Sequence, residues 1–458
     1  MTFRIPFLPN DRDDCPALRD DHGADWVSYG LLRAASHEWA ARLAGERGLV
    51  FLYIRNDCDN VAALLGALGA GHALALFDAN LPRSARDLLE SRYQPDWIIE
   101  TGGEQPVRGP LNPAATAMHP DLAILLSTSG STGSPKLVRL SEAAVTANAR
   151  GIAEVLHIGS DDVASGHLPL HYSYGLSVLT SHLCVGARIR LTEHGLMHRE
   201  FWPALREAAV THLPGVPFHY QMMAKLGFAR LGLSSLRTMT QAGGSMDVST
   251  RRLAHAFMAE RAGRFYVLYG QTEAAPRMTT LQHEDFPEAE SSVGSALPGC
   301  RIEIAEPDAN GNGEVIFFGP NVMLGYAESR EDLMLGDVQA GRLATGDIGW
   351  LDQAGRLFLT GRAKRFGKVY GLRVNLDELE REANSIAAAA VVQIGEGVRI
   401  YIVADEGAEH GAALAQQVLD HMLARFTLPR TSYELRTIDA IPHTDRGKVN
   451  YAALETLG

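Results

Sequence analysis

The chain reads as an α/β protein. A large N-terminal domain of parallel and mixed sheets covered by helices carries a small β region, and a small α+β domain follows it. Three observations predict this. Short apolar runs alternate with helical patterns through the N-terminal part, the β-α-β rhythm of a parallel sheet. Farther on, apolar runs end repeatedly in Gly- or Pro-bearing turns, as strands do at the ligand-binding edge of an open sheet. From Arg301 the texture changes to short β-like runs separated by Gly turns, which reads as a small antiparallel region.

Taken in order, residues 26–48 carry a helical pattern with Ser28 as N-cap and Leu31, Leu32, Ala35, Trp39 and Leu43 on one side. Val50 to Ile54 reads as a strand, Asn60 to about Gly69 as a helix, Ala73 to Phe77 as a strand, and Ser84 to Ile99 as a further helix–strand step. Gly102 to Pro120, rich in Pro, Gly and Ala, is a connector, and Leu122 to Leu126 is a buried strand. Ser141 caps the next helix. Short β runs follow at Arg301 to Ala305, Glu314 to Phe318, Gly349 to Leu351 and Arg356 to Thr360. The domain boundary is expected at Lys364, giving domains 1–363 and 364–458. Within the second, a helix starts at Asn375, strands cover Val391 to Ile394 and Arg399 to Val403, and Ala412 to Leu423 is helical.

Composition bounds the function. Apolar residues make up 46% of the 458 positions and charged residues 21%, as in ordinary globular proteins. A net charge of −12, from 42 basic and 54 acidic residues, argues against a broad nucleic-acid surface but leaves room for a local basic pocket. Cys15, Cys58, Cys184 and Cys300 are far apart and form no Cys-x-x-Cys pair, so neither a zinc site nor a disulfide framework is implied. Met1 to Asp14 has no apolar signal core. The apolar stretch Val61 to Phe77 is interrupted by Gly66, Gly69, Gly71 and His72 and is shorter than the ~20 residues of a membrane helix. A soluble, cytoplasmic protein without membrane or nucleic-acid partners is expected.

Four segments carry chemistry. The loop Ser127-Thr128-Ser129-Gly130-Ser131-Thr132-Gly133-Ser134-Pro135-Lys136 holds two glycines, six hydroxyl residues and a lysine. Such a loop can wrap N–H groups and hydroxyls around a polyphosphate, with Lys136 supplying charge. It lacks the Gly-Lys-Ser/Thr ending of the common P-loop, and it also reads as a plain surface turn. Gly243 and Gly244 follow the run Thr238 to Ala242; they would let a flat base lie on backbone, or simply turn the chain. The run Phe265 to Tyr269, followed by Gly270 and Gln271, ends in Thr272 and Glu273, a hydroxyl for a phosphate oxygen beside a carboxylate for Mg²⁺. The pair reads equally as a helix cap. Asp347, after Thr345 and Gly346, is either a turn residue or an acceptor for two ribose hydroxyls. His167 and His171 are four apart, but Pro169 between them speaks against a helical metal pair; a strand end presenting His171, Tyr172 and Tyr174 to a pocket, or plain core packing, fits better.

In this order and approximate spacing the segments, with Gly361-Arg362 and Gly447-Lys448, resemble the adenylate-forming superfamily of acyl-CoA synthetases, aryl-acid ligases, nonribosomal-peptide adenylation domains and beetle luciferases. The resemblance runs from about Trp26 to Leu454. It implies ATP and Mg²⁺ as cofactors and a mobile C-terminal domain turning on a hinge at Lys364. It implies Thr128, Ser129, Thr132 and Lys136 at the phosphates, with the loop's Gly130, Ser131 and Gly133 among them. Thr272 and Glu273 fall at the α-phosphate and Mg²⁺, Gly243, Gly244, Tyr269 and Gly270 on the nucleotide, and Asp347 and Arg362 at the ribose. Lys448 becomes the catalytic lysine of adenylation. Lys368 to Gly371 becomes the loop that meets the thiol, where Gly371 leaves room for a pantetheine arm. Departures are Ser127 in place of an aromatic, Leu137 in place of Gly, Gly367 in place of an aliphatic residue and Tyr451 in place of Arg.

By family position His171, Tyr172, Phe218, Gly270, Pro276 and Arg277 surround the acid. Ser173 stands where amino-acid-activating domains place an Asp, which argues against ordinary α-amino acids. Arg277 either meets a second carboxylate or polar substituent of the substrate, or points away to a structural acid. The activity implied is ATP-dependent formation of an acyl-adenylate and thioester formation with CoA. A stand-alone adenylation enzyme loading a carrier-protein phosphopantetheine is the alternative within the family, and a non-catalytic nucleotide- or acyl-binding protein the alternative outside it.

Overall fold

The computed structural model describes residues 5–100, 106–109, 117–127, 136–362, 365–369, 372–395, 397–404, 407–426, 428–444 and 449–457. They form two compact units, one comprising Met1–Ile302 with Phe317–Leu343 and the other Glu303–Ile316 with Ala344–Gly458.

The first unit holds two large sheets. In the seven-stranded sheet, Leu49–Ile54 lies between Ala73–Asp78 and Trp97–Glu100, and Ala73–Asp78 continues to Leu122–Ser127; these four are parallel. Leu137–Ser141 and Gly325–Ala327 then add antiparallel strands. Leu49–Ile54 is buried from end to end and Ala73–Asp78 as far as Phe77, as the unbroken apolar runs require when helices cover both faces. Ser28 caps the helix Tyr29–Arg42 through its side chain. Leu32, Trp39 and Leu43 turn inward as the pattern indicates, but Leu31 is exposed, one residue off the buried stripe. Asp57 caps Cys58–Gly69, which starts two residues before the expected Asn60.

The nine-stranded sheet carries the candidate site. Val163–Gly166, His212–Gly215, Thr238–Gln241 and Arg264–Gly270 run parallel in that order, and Arg277–Leu281 returns antiparallel to the last of them. Register pairs Gly215 with Gln241 and Gln241 with Val267, which brings the Gly-bearing turns to one edge. Ser141 caps the helix Glu142–Val155 as expected. Ser173–Leu183 is a helix buried along its whole length. The backbone between His167 and His171 is not helical; His167 instead meets Ser165 and His219.

The ten-residue strand Arg342–Leu351, which lies in the second unit from Ala344 on, pairs antiparallel with Leu357–Arg362. It is longer than the Gly349 to Leu351 run suggests, because Thr345-Gly346-Asp347 is part of the strand and not a turn. Gly346, at φ 69°, supplies the left-handed residue the strand needs there. Ala389–Ile394 and Gly397–Val403 form a hairpin that continues parallel to Tyr433–Ile438. Strand alternation sends Ala389 and Val391 to Leu379, Val418 and Met422, and Ala390 and Val392 to Tyr401 and Leu454. Among the described residues no helix is long and apolar enough to cross a membrane, and all four cysteines are free thiols.

Candidate active site

The turn after Arg264–Gly270 is anchored from three sides, by Pro276, Asn148 and Asn321. Gly270 packs against Pro276, whose peptide bond with Ala275 is cis; a Cβ on Gly270 would stand 1.9 Å from the Pro276 carbonyl oxygen. Asn148 clamps the far end of the turn twice, its Nδ2 donating to the Arg277 carbonyl at 2.8 Å and its Oδ1 accepting from the Arg277 N–H at 3.2 Å. Asn321 donates to the carbonyls of Ala274 and Arg277 at 2.6 and 2.9 Å. The Met323 N–H donates to the Glu273 carbonyl at 2.9 Å. Thr272 begins a single helical turn, and its hydroxyl lies 3.1 Å from that of Ser173.

The side chains of Glu273 and Lys136 meet through a residue the sequence reading missed. Tyr326 donates its hydroxyl to Glu273 Oε1 at 2.8 Å, and Lys136 Nζ sits 3.6 Å above the centre of its ring. Burial and then the Glu273 carboxylate raise the Tyr326 phenol above its ordinary pKa, so it stays a donor at neutral pH. Lys136 also approaches Glu328 at 3.9 Å, a half-exposed pair that adds little. A carboxylate oriented by a phenol, beside a lysine and a threonine hydroxyl, is a hard-oxygen site suited to Mg²⁺ and phosphate.

Gly243, at φ 87°, would place a Cβ 2.7 Å from the Tyr172 hydroxyl, so glycine is required for Tyr172 to close on this turn. Gln241 donates to the Gly244 carbonyl at 2.9 Å. Tyr269 is buried in its strand. His171 precedes the buried helix Ser173–Leu183, and Phe218, in the first turn of the helix Pro217–Leu226, is 42% exposed. Pro276 and Arg277 are buried.

Below this edge lies a small cavity lined by Tyr174, Ser177, Ser181, His212, Thr240 and Arg277, with apolar walls from Ile152, Leu156 and Leu268. Its hydrogen bonds form a chain. The Val178 carbonyl accepts from His182 Nδ1 at 2.8 Å, and His182 Nε2 lies 2.9 Å from His212 Nδ1. His212 Nε2 lies 3.1 Å from the Thr240 hydroxyl, which lies 2.9 Å from the Tyr174 hydroxyl. A carbonyl can only accept, so with both rings neutral the chain is consistent when each His carries its proton on Nδ1. Burial pushes the His182 pKa down to about 4. Burial, then His182 and Arg277, hold His212 well below the ordinary histidine range. Ser177 and Ser181 share a face with Tyr174 at helical spacing. That spacing is readable in the sequence, but it does not say that the helix covers a cavity.

In the second unit Arg362 Nε donates to Asp347 Oδ1 at 2.9 Å, and Asp347 is almost fully buried. The Thr345 hydroxyl accepts from the Asp347 N–H at 3.1 Å and donates to the Val315 carbonyl at 2.7 Å. Asp377 accepts from the Arg362 N–H at 2.9 Å and from Arg365 Nε at 2.7 Å. Tyr451 donates to Glu380 at 2.6 Å and lies under the Arg365 guanidinium. Lys368 falls in the strand Phe366–Val369. Thr128, Ser129, Gly130, Ser131, Thr132, Gly133, Lys364, Gly371 and Lys448 lie outside the described residues.

The family model "AMP-binding enzyme" matches residues 86–327. The chain belongs to this family. It is an adenylate-forming, acyl-CoA-ligase-like chain of the superfamily the motifs resemble. Indoleacetate–CoA ligase of Aromatoleum aromaticum is 30% identical over 373 residues, 77% of this chain and 69% of that protein. D-alanine–D-alanyl carrier protein ligase of Staphylococcus aureus is 22% identical over 94% of this chain and 93% of its own length. Among solved structures, ATP-bound MatB from Rhodopseudomonas palustris matches with a TM-score of 0.79 at 20% identity, over 98% of this chain and 96% of that one. This last likeness concerns the fold.

Proposed function

We propose that the chain activates a carboxylic acid with ATP and passes the acyl group to a thiol, that of CoA in the first reading. The observation that carries this is Tyr326, on the seven-stranded sheet with Lys136 beside it, reaching Glu273 next to Thr272 in the turn that follows Arg264–Gly270 of the nine-stranded sheet. Family membership and the indoleacetate–CoA ligase likeness support it.

The acid is already ionised at neutral pH, so it needs no general base. Its oxygen attacks the α-phosphorus, the bond to the β-phosphate oxygen breaks, and pyrophosphate leaves. The obstacle is charge: an anion meets a polyanion, and charge builds on the phosphate oxygens. Lys136 and the hydroxyls of residues 127–134 would neutralise the phosphates, and Thr272 would meet the α-phosphate. Glu273, held by Tyr326, would bind Mg²⁺, which when bound screens the phosphate charge. Lys448 would close over the α-phosphate, and the Asp347–Arg362 pair would hold the ribose. In the second half-reaction the small domain would turn at Lys364, withdrawing Lys448 and presenting Lys368 to Gly371. The thiolate would then attack the acyl carbonyl and AMP would leave. The Asp377 carboxylate, bonded on both sides of residues 363–364, suits it to limit that turn. Transfer to a carrier-protein phosphopantetheine is the second reading, favoured by the end-to-end likeness to a carrier-protein ligase.

The test is ATP–pyrophosphate exchange across an acid panel, followed by product mass with CoA and with a carrier protein. Acid-dependent exchange is expected; protein that binds ATP but exchanges with no acid would overturn the reading.

A further inference from the structure

Arg277 is 2% exposed, and its backbone is fixed at both ends by Asn148 and Asn321. No carboxylate lies within ion-pair distance of its guanidinium among the described residues, so the structural acid that would explain its burial is missing there. Its Nη1 is buried and makes no hydrogen bond among them. The guanidinium lies 5.6 Å from the centre of the Tyr174 ring. Its neighbours along the cavity, His212, Thr240, Ser177 and Ser181, are neutral and already form the hydrogen-bond chain or bond helix carbonyls. Burial lowers the Arg277 pKa only to about 10, so the group is charged at neutral pH. A buried cation with neither a counter-ion nor a full set of acceptors is expensive; Arg139 and Arg251 are buried against backbone carbonyls, whereas Arg277 Nη1 has no acceptor among the described residues. The cavity beside it encloses about 10 Å³, room for one water-sized group. Whatever reaches Nη1 is therefore compact.

We propose that the acid this chain activates carries a second anionic group, in the simplest case a second carboxylate, and that one oxygen of that group reaches Arg277 Nη1 in this cavity. Water in this cavity could meet Nη1 but would not balance its charge; a carboxylate oxygen does both. The proposal rests on the acid-ligase reading and adds the substrate class to it.

The experiment is ATP–pyrophosphate exchange with matched pairs of probes, each a dicarboxylic acid and its monomethyl ester, on the full chain. Wild type is expected to favour the diacid by at least ~10-fold in kcat/KM. Arg277→Met is expected to lose roughly 10²-fold on the diacid, mostly through KM, and little on the ester, while Arg277→Lys recovers part of the loss. A merely structural arginine would lower both probes together. Equal use of diacid and ester by wild type, or equal losses in Arg277→Met, overturns the proposal and leaves the acid-ligase reading standing. Exchange with no acid at all removes both. If Arg277→Met does not fold, the wild-type ratio decides, together with a thermal shift with ATP that the diacid raises and the ester does not.

Discussion

Replacing Tyr326 by Phe isolates a single bond. The phenylalanine ring still fills the space under Lys136 Nζ, now 3.6 Å from the ring centre, but the hydroxyl that holds Glu273 Oε1 at 2.8 Å is gone. A hydrogen bond to a carboxylate contributes about 1.5–3 kcal/mol. Tyr326 is only half-buried, so the lower end applies, about 1.5 kcal/mol. At roughly 1.4 kcal/mol per decade, kcat/KM for MgATP in pyrophosphate exchange falls ~10-fold. Tyr326→Ala also removes the cation–π contact, a further ~0.5–1 kcal/mol, for a loss of ~30–60-fold. Urea denaturation of both variants checks that folding is intact. A Tyr326→Phe enzyme within twofold of wild type would refute the idea that Tyr326 orients the carboxylate.

Other outcomes are equally concrete. Asn148→Ala leaves the N–H and carbonyl of Arg277 without their clamp in a buried place, and a stability loss of ~2–3 kcal/mol by urea denaturation is expected. His182 is held near pKa 4 in the fold against 6.5 when free. Below its unfolded value the unfolded chain therefore binds the extra proton. Stability present above pH ~6.5 is lost as pH falls toward 4, on the order of 2–3 kcal/mol for this residue, and His182→Asn should flatten that slope in urea midpoints. Lys448→Ala should lower exchange by ~100-fold or more; exchange within a few-fold of wild type would exclude its role in adenylation. Gly371→Leu should impair thioester formation and spare exchange, and equal loss of both would count against the thiol path.

Much of the site's order was legible because each segment is local. Ser28, Asp57 and Ser141 cap helices through bonds that span three positions. The turns at Gly243 and Gly270 end strands whose apolar runs are continuous in the sequence. Errors came where one residue's surroundings outweigh its pattern: Leu31 faces out on an otherwise regular helix, and Gly346 lets a strand pass through what reads as a turn.

The sequence by itself determined the α/β class, the order of the nucleotide-directed turns and the family, since periodicity, caps and short motifs act between neighbours along the chain. Only the tertiary structure decided that Tyr326, 53 positions beyond Glu273, supplies its hydrogen bond. It likewise decided that Arg277 lies buried beside neutral histidines, with no carboxylate near it among the described residues. Hydrogen bonds and desolvation depend on distance in space, and that distance is set by how strands far apart in sequence come to lie side by side.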